Sequence, residues 1–156
     1  ESAIADKVEI SYTIPKDYAD HSQRFEEASI VFLSTMGVNE GMIEDVKSHC
    51  SENTRFYIIG EKNFGESNGQ IYRKRNRDDY LQQSIEMEDG YVEKNERLKA
   101  KYPTSYIDMI EMVRKSDGTV RVFSNDGRFI SQDCRHLTKA GAQYYAKLID
   151  WKRFVE

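Results

Sequence analysis

Two short apolar runs constrain the fold of this chain most strongly. Residues 29–34 read Ser-Ile-Val-Phe-Leu-Ser, and residues 54–60 read Thr-Arg-Phe-Tyr-Ile-Ile-Gly. Runs of this length, rich in β-branched and aromatic side chains, predict buried strands of the kind found in parallel sheets. Between them, residues 42–49 place Met42, Ile43 and Val46 on one side of a helix. The three segments predict a right-handed β-α-β unit and an α/β fold with a mainly parallel sheet.

The remaining pattern predicts further elements. Residues 8–14 alternate apolar and polar side chains, which indicates a strand. Residues 79–101 are charge-dense and predict mostly helix, interrupted at Gly90, while residues 106–113 fit a strand or a helix equally well. Residues 120–123 alternate like a strand and precede the turn residues 125–127. A hairpin is therefore expected, presenting the segment that begins near Asp133.

Length and composition limit the classes of function. The 156 residues are expected to form one domain, and a net charge of -4 gives no bias toward nucleic acid. No apolar run is long enough to predict a membrane span. Two cysteines and three histidines without paired spacing predict no metal site, and no cofactor motif occurs. Sparse cysteine slightly favours the cytoplasm over the periplasm or secretion. The oligomeric state is left undetermined.

A ten-residue stretch near the C-terminus contains the candidate catalytic residues. It reads Asp-Cys-Arg-His-Leu-Thr-Lys-Ala-Gly-Ala from Asp133 onward, and it places an acid three residues before His136. Such a pair can supply a general base together with the carboxylate that orients it. Thr138 is expected to cap a helix, whose apolar face would comprise Ala142, Tyr145, Ala146 and Ile149.

The nucleophile is harder to find. Residues 65–69 match Gly-x-Ser-x-Gly, but no sharp strand-to-helix turn is indicated there, so the stretch is interpreted as a flexible loop. Ser67 and Ser34 stay open as unusual nucleophiles, although Ser34 is expected to be a core residue. Cys134 is interpreted as structural or incidental, because the adjacent Asp133 would make its thiol less acidic.

Asp-x-x-His followed by Leu-Thr-x-x-Gly-Ala resembles the last motif block of the SGNH (GDSL-type) hydrolases. It is most similar to the SGNH domains that act on acyl groups of bacterial carbohydrates. Gly37-Val38-Asn39-Glu40 resembles that family's Gly-x-Asn-Asp block, with Glu40 in place of the Asp. The resemblance implies a three-layer α/β sandwich, an Asp133–His136 pair within a Ser-His-Asp triad, and an oxyanion hole to which Gly37 and Asn39 contribute.

The resemblance covers residues 28–151 and lacks the family's Gly-Asp-Ser block, which occurs nowhere in the chain. The chain starts at Glu1, not Met, so it is expected to be a processed or trimmed piece, with the serine upstream or lost. The implied function is a serine esterase or O-acyltransferase acting on acetyl or similar esters of a small molecule or carbohydrate. The alternative is a catalytically inactive, SGNH-like binding or accessory domain.

Overall fold

The computed structural model describes residues 20–34, 37–62 and 67–155. These residues form a mixed α/β structure, as predicted, while the predicted strand at residues 8–14 lies outside them. The elements are, in chain order, α1 (Ser22–Glu27), β1 (Ile30–Leu33), α2 (Glu40–Ser48), β2 (Arg55–Ile59), α3 (Asn68–Tyr72), a 3-10 turn (Tyr80–Gln82), β3 (Ser84–Ile85), α4 (Asp89–Lys101), β4 (Tyr106–Ile107), β5 (Val120–Arg121), α5 (Lys139–Leu148) and α6 (Lys152–Val155).

A three-stranded parallel sheet has the order β1-β2-β4. In the β2–β4 pair, Ile58 lies opposite Tyr106 and Ile59 opposite Ile107. A separate antiparallel pair joins β3 to β5. Both predicted strands and the helix between them are therefore confirmed. Because parallel strands end at the same edge of a sheet, the residues after β1 and β2 are placed where α/β proteins bind ligands.

The chain divides into two compact units, and the first contains Glu1–Val31 and Asn39–Phe56. Within its described residues, Asn39 caps the N-terminus of α2, whose Ile43 and Val46 are buried. The Thr54 hydroxyl donates to the carbonyl of Ala28 at 2.8 Å, which ties the entry of β2 to the end of α1.

The second unit contains Phe32–Val38 and Tyr57–Glu156 and holds the larger core. Phe154 is only 5% exposed and packs edge-on against Tyr57, with their ring centroids 4.8 Å apart. Trp151 keeps 39% of its surface exposed. The centre of this core is formed by Ile71, Ile107, Val120, Phe123, Ile130 and Tyr145.

One predicted helix and one predicted buried side chain differ from the structure. Residues 79–101 do not form one interrupted helix, because Ile85 is drawn into the core as part of β3. The helix begins at Asp89, so Gly90 lies in its first turn. Phe32, expected to be buried within β1, is 37% exposed. Residues 106–113 resolve into the two-residue strand β4 followed by turns.

The predicted hairpin is confirmed. Phe123 pairs with Phe129 in an isolated antiparallel bridge, and Gly127 in the connecting turn has φ +74°. A second bridge joins Ser131 to Leu137 and closes the loop of residues 132–136. The hairpin therefore presents the Asp133 segment as a short, closed loop. No helix in the described ranges is long and apolar enough to cross a membrane.

Candidate functional site

The loop that carries Asp133 is anchored at both ends. On its far side, Thr138 donates its hydroxyl to the carbonyl of Phe129 at 2.5 Å and accepts the N–H of Gly141 at 3.0 Å. The backbone N–H of Thr138 also bonds to the carbonyl of Ile130 at 2.9 Å. Thr138 therefore caps α5, as predicted, and fixes the loop to the hairpin.

Asp133 and His136 are in direct contact. His136 Nδ1 lies 2.5 Å from Asp133 Oδ2. The other carboxylate oxygen, Oδ1, accepts the backbone N–H of His136 at 2.8 Å and that of Arg135 at 3.1 Å. One carboxylate thus builds the turn and orients the ring. His136 Nε2 bonds to nothing in the described part of the chain, and the His136 side chain is 68% exposed.

The turn depends on an unusual backbone conformation at Cys134. Its φ of +61° is in the left-handed region, which residues other than Gly, Asn and Asp seldom adopt. No other non-glycine residue that the structure describes has a positive φ. Since Asp133 Oδ1 accepts the amide N–H groups of both Arg135 and His136, these hydrogen bonds help to hold the backbone in this conformation.

These hydrogen bonds hold the pKa of the Asp133 carboxyl well below its usual value. The His136 backbone N–H contributes most, followed by the His136 ring and the Arg135 N–H. Each bond stabilises the charged form of the carboxyl. Asp133 is therefore ionised throughout the neutral range.

This lowered pKa gives a prediction about the loop in acid. Because the folded pKa lies below the unfolded one, the stabilisation is present above the ordinary value of 3.8 and is lost as the pH falls through the folded pKa. We expect the amide resonances of Arg135 and His136 to titrate together, with a midpoint below 3.8. Asp133→Asn is the control and should abolish this titration. A midpoint at or above 3.8 would contradict the hydrogen-bonded loop.

The two predicted oxyanion residues belong to different compact units. Asn39, in the first unit, uses its side-chain Oδ1 to accept the Met42 N–H at 3.0 Å, which leaves the two Nδ2 hydrogens as donors. Gly37, in the second unit with His136, is exposed and has φ +72°. Their role in an oxyanion hole stays a prediction.

The second unit contains a cavity of about 470 Å³. Gly37 follows β1 and Lys62 follows β2, so the cavity lies at the carboxyl edge of the sheet. Arg135, the neighbour of His136, also contributes to its wall. This volume is within the usual range for small-molecule sites. Its described lining is Gly37, Glu61, Lys62, Glu88, Gly90, Tyr91, Lys94 and Arg135.

The charges in this cavity are unequally paired. Lys94 forms an ion pair with the buried Glu61. The two groups are not aligned for a hydrogen bond, so Glu61 Oε1 accepts none from the described residues. Lys62 donates instead to a neutral acceptor, the Ser34 hydroxyl, at 3.0 Å. Burial lowers the pKa of Lys62, and the charge of Glu61 opposes that shift only in part.

A buried polar network holds the backbone of Glu61 in place. Tyr106 Oη accepts the Glu61 N–H at 3.4 Å and donates to Asn95 Oδ1 at 2.8 Å, while burial raises the pKa of Tyr106. Asn95 is 1% exposed and donates to Asp108 Oδ1 at 3.0 Å. Gly60 is required here, because an added Cβ would lie 2.6 Å from Tyr106 Oη. The network therefore supports one wall of the cavity.

Ser34 and the residues after Ser67 differ from expectation, while residues 65 and 66 lie outside the described ranges. Ser34 is exposed, since β1 ends at Leu33, so its prediction as a core residue is wrong. The loop interpretation of residues 65–69 is wrong from Asn68 onward, where α3 begins. The Asn68 N–H donates to the Gln132 carbonyl at 3.0 Å, which ties the segment after Ser67 to the residue before Asp133. Ser67 itself is exposed.

One group of carboxylates is close enough to be considered for a metal ion. Within the described ranges, Glu96, Asp108 and Glu111 offer oxygens within 4.8 Å of one another. Asp108 already pairs with Lys99 at 3.0 Å and accepts hydrogen bonds from Asn95 and two backbone amides. These interactions account for the cluster as part of the fold.

Sequence reasoning missed most of the cavity wall. Glu61 and Lys62 directly follow a strand that was predicted correctly, so their place at the carboxyl end of β2 was available from the pattern. Tyr91 and Lys94 lie on a helix whose start was misplaced, and nothing in their spacing marks them. Comparison with protein-family models, curated proteins and solved structures finds no significant match. The SGNH resemblance therefore rests on the motif residues alone.

Proposed function

We propose that the chain belongs to an SGNH-type serine esterase or O-acyltransferase that acts on acetyl or similar esters of a carbohydrate. The observation that carries the proposal is the 2.5 Å contact between Asp133 Oδ2 and His136 Nδ1. With the Asp133 carboxylate as the acceptor, a neutral ring would carry its proton on Nδ1 and offer a lone pair on Nε2. A base of this kind is what a serine nucleophile requires.

In the proposed reaction, His136 Nε2 takes the hydroxyl proton of a serine while the serine oxygen attacks the ester carbonyl. Asp133 stabilises the resulting imidazolium. The imidazolium then protonates the leaving alkoxide, which leaves an acyl-serine. In the second half-reaction, water or a sugar hydroxyl gives its proton to His136 and attacks the acyl-serine. The bond between the serine oxygen and the acyl group breaks, and His136 returns the proton to the serine oxygen. The backbone N–H of Gly37, which lies in the same unit as His136, would donate to the oxyanion.

The proposal extends to the architecture. A parallel sheet with Gly37, Lys62 and the cavity at its carboxyl edge agrees with a three-layer sandwich of the SGNH type. Hydrolysis and acyl transfer use the same groups and differ only in the acceptor that reaches the acyl-serine. The geometry of the base alone therefore supports both activities equally.

Labelling with a serine-reactive phosphonate, followed by intact mass and peptide mapping, tests the proposal. We expect one serine to be modified, with labelling lost in His136→Ala and kept in the control His21→Ala. The mapped peptide identifies the nucleophile, whether it is Ser34, Ser67 or a serine outside this sequence. Labelling that His136→Ala leaves unchanged would contradict the role of His136. No labelling by either a small or a long-chain phosphonate would favour the binding-domain alternative.

A further inference from the structure

The cavity beside the Asp133 loop has a charge pattern that the proposed acyl chemistry does not use. We propose that it binds the anionic group of a sugar, a carboxylate or a phosphate, while the sugar ring lies against Tyr91. The proposal rests on Lys62 and Arg135, two cations without an ion pair to any described carboxylate, and on the shape of the wall between Gly90 and Tyr91.

Of the two cations, Lys62 gives the stronger evidence for a bound anion. Its side chain is partly buried, and its ammonium group donates to the Ser34 hydroxyl at 3.0 Å, with no ion pair to a carboxylate in the described chain. Removing an ammonium from water is costly, and the charge of Glu61 offsets that cost only in part. An anion bound in the cavity would recover that cost and would raise the pKa of Lys62, which burial now lowers.

The other charges do not cancel this excess. Glu61 is buried and is paired with Lys94 on the adjacent helix. Arg135 contacts the cavity from the Asp133 loop, and its guanidinium has no carboxylate partner among the described residues. Among the described lining residues, Glu88 is the one exposed acid that opposes Lys62 and Arg135. The guanidinium is well suited to a carboxylate or a phosphate, which it can hold in a bidentate manner.

The wall formed by α4 favours a sugar over a simple inorganic anion. Tyr91 is partly exposed and lines the cavity, so its ring can cover the apolar face of a pyranose. Next to it, Gly90 leaves the space open, since an added Cβ would meet nothing within 4 Å. Packing does not require glycine at this position. Glycine at this position therefore adds no side chain to the cavity wall.

This assignment rests on the proposed function only where it treats the ligand as the substrate, and binding can be measured without turnover. The probes are D-glucuronate, glucose 6-phosphate and neutral glucose, titrated into the protein by isothermal calorimetry. We expect at least one anionic sugar to bind about tenfold more tightly than glucose or better. The tighter of the two identifies the anion as carboxylate or phosphate. Equal affinity for glucose, or no binding of either anionic sugar at millimolar concentration, would overturn the proposal.

Variants locate the site. Lys62→Gln and Arg135→Gln should each weaken binding about tenfold, while the exposed control Arg128→Gln should not. Gly90→Leu should block the cavity, and Gly90→Ala should leave room. Neither Gly90 variant is expected to impair folding, so lost binding in Gly90→Leu reports on the cavity itself. Selective binding that none of these changes weakens would place the anion elsewhere and would refute the site.

His136→Ala separates this proposal from the catalytic one. It should abolish phosphonate labelling and leave sugar binding unchanged, because His136 does not line the cavity. Lost labelling with no sugar binding in any variant would leave the catalytic proposal standing and the sugar site refuted. Sugar binding that follows the cavity variants, without any labelling, would support the site and remove its assignment as a substrate pocket.

Discussion

Replacing His136 with Ala is expected to lower kcat for ester hydrolysis by about four orders of magnitude, with little change in KM. In the proposed mechanism the imidazole takes the serine proton during bond formation, so its loss would affect the transition state and not the binding of the ester. The fold should persist, because the His136 ring is 68% exposed and its backbone N–H, which bonds to Asp133, is retained.

Asp133→Asn should cause a loss of similar size for a different reason. The Asn side-chain oxygen can still accept the amides of Arg135 and His136, so the turn survives. Its amide nitrogen, however, would face His136 Nδ1 as a donor. The ring then carries its proton on Nε2 and cannot accept one from the serine. A carboxylate that only shaped the loop would show no such loss.

His136→Ala and Asp133→Asn are made in the form of the protein that the phosphonate labels, and their activity is measured there. The assay follows acetate release from an acetylated sugar, with His21→Ala as the histidine control and circular dichroism as the check on folding. Near-normal turnover in His136→Ala would disprove the base assignment. Full activity in Asp133→Asn with loss in His136→Ala would retain the base and reject the orienting carboxylate.

The elements that the sequence predicted correctly are those whose pattern is local. β1, α2 and β2 each carry their own periodicity, and the hairpin before Asp133 is marked by a turn with Gly127 at positive φ. The prediction of a helix over residues 79–101 was wrong because Ile85 pairs with Val120, which lies far along the chain. No local pattern reports that partner, and the tertiary contact outweighs helix propensity.

The candidate site divides in the same way. Asp133 and His136 were predictable because four consecutive residues contain both groups and the turn that joins them. The cavity was not, because its wall combines Gly37, Lys62, Tyr91 and Arg135 from separate segments. Their proximity is produced by the parallel order of β1 and β2 and by the position of α4, so it exists only once the chain has folded.

Helix α5 shows how a correct periodicity can still give a wrong contact face. Tyr145 and Ile149 are buried as predicted, at 3% and 8% exposure, while Ala142 and Ala146 face solvent. The helix instead packs through Gly141, which is buried against the backbone of Ile130. Because glycine is not counted among the apolar residues, the pattern did not mark Gly141 as buried. The predicted buried face of the helix therefore included the two alanines.

Gly141→Ala is therefore expected to be the most destabilising small substitution in α5. An added Cβ would lie 2.1 Å from the Ile130 carbonyl oxygen, which belongs to backbone and cannot rotate away. Overpacking of this kind costs about 3 kcal/mol, enough to outweigh the roughly 1 kcal/mol that alanine gains over glycine in a helix. Chemical denaturation should show the lower free energy of unfolding, and the melting temperature should fall by about 4–8 °C.

Gly90→Ala is the matched control, because it makes the same change near the start of α4, where an added Cβ meets nothing within 4 Å. It should stabilise the protein by up to about 1 kcal/mol. Opposite signs for the two substitutions would establish that the Ile130 contact, and not helix propensity, decides the result. Equal effects would reject the close packing of α5.

The Ile130 carbonyl also accepts the Thr138 N–H at 2.9 Å, the bond that anchors the Asp133 loop. Displacing that carbonyl should therefore loosen the loop, so Gly141→Ala should lose activity even at temperatures where it remains folded.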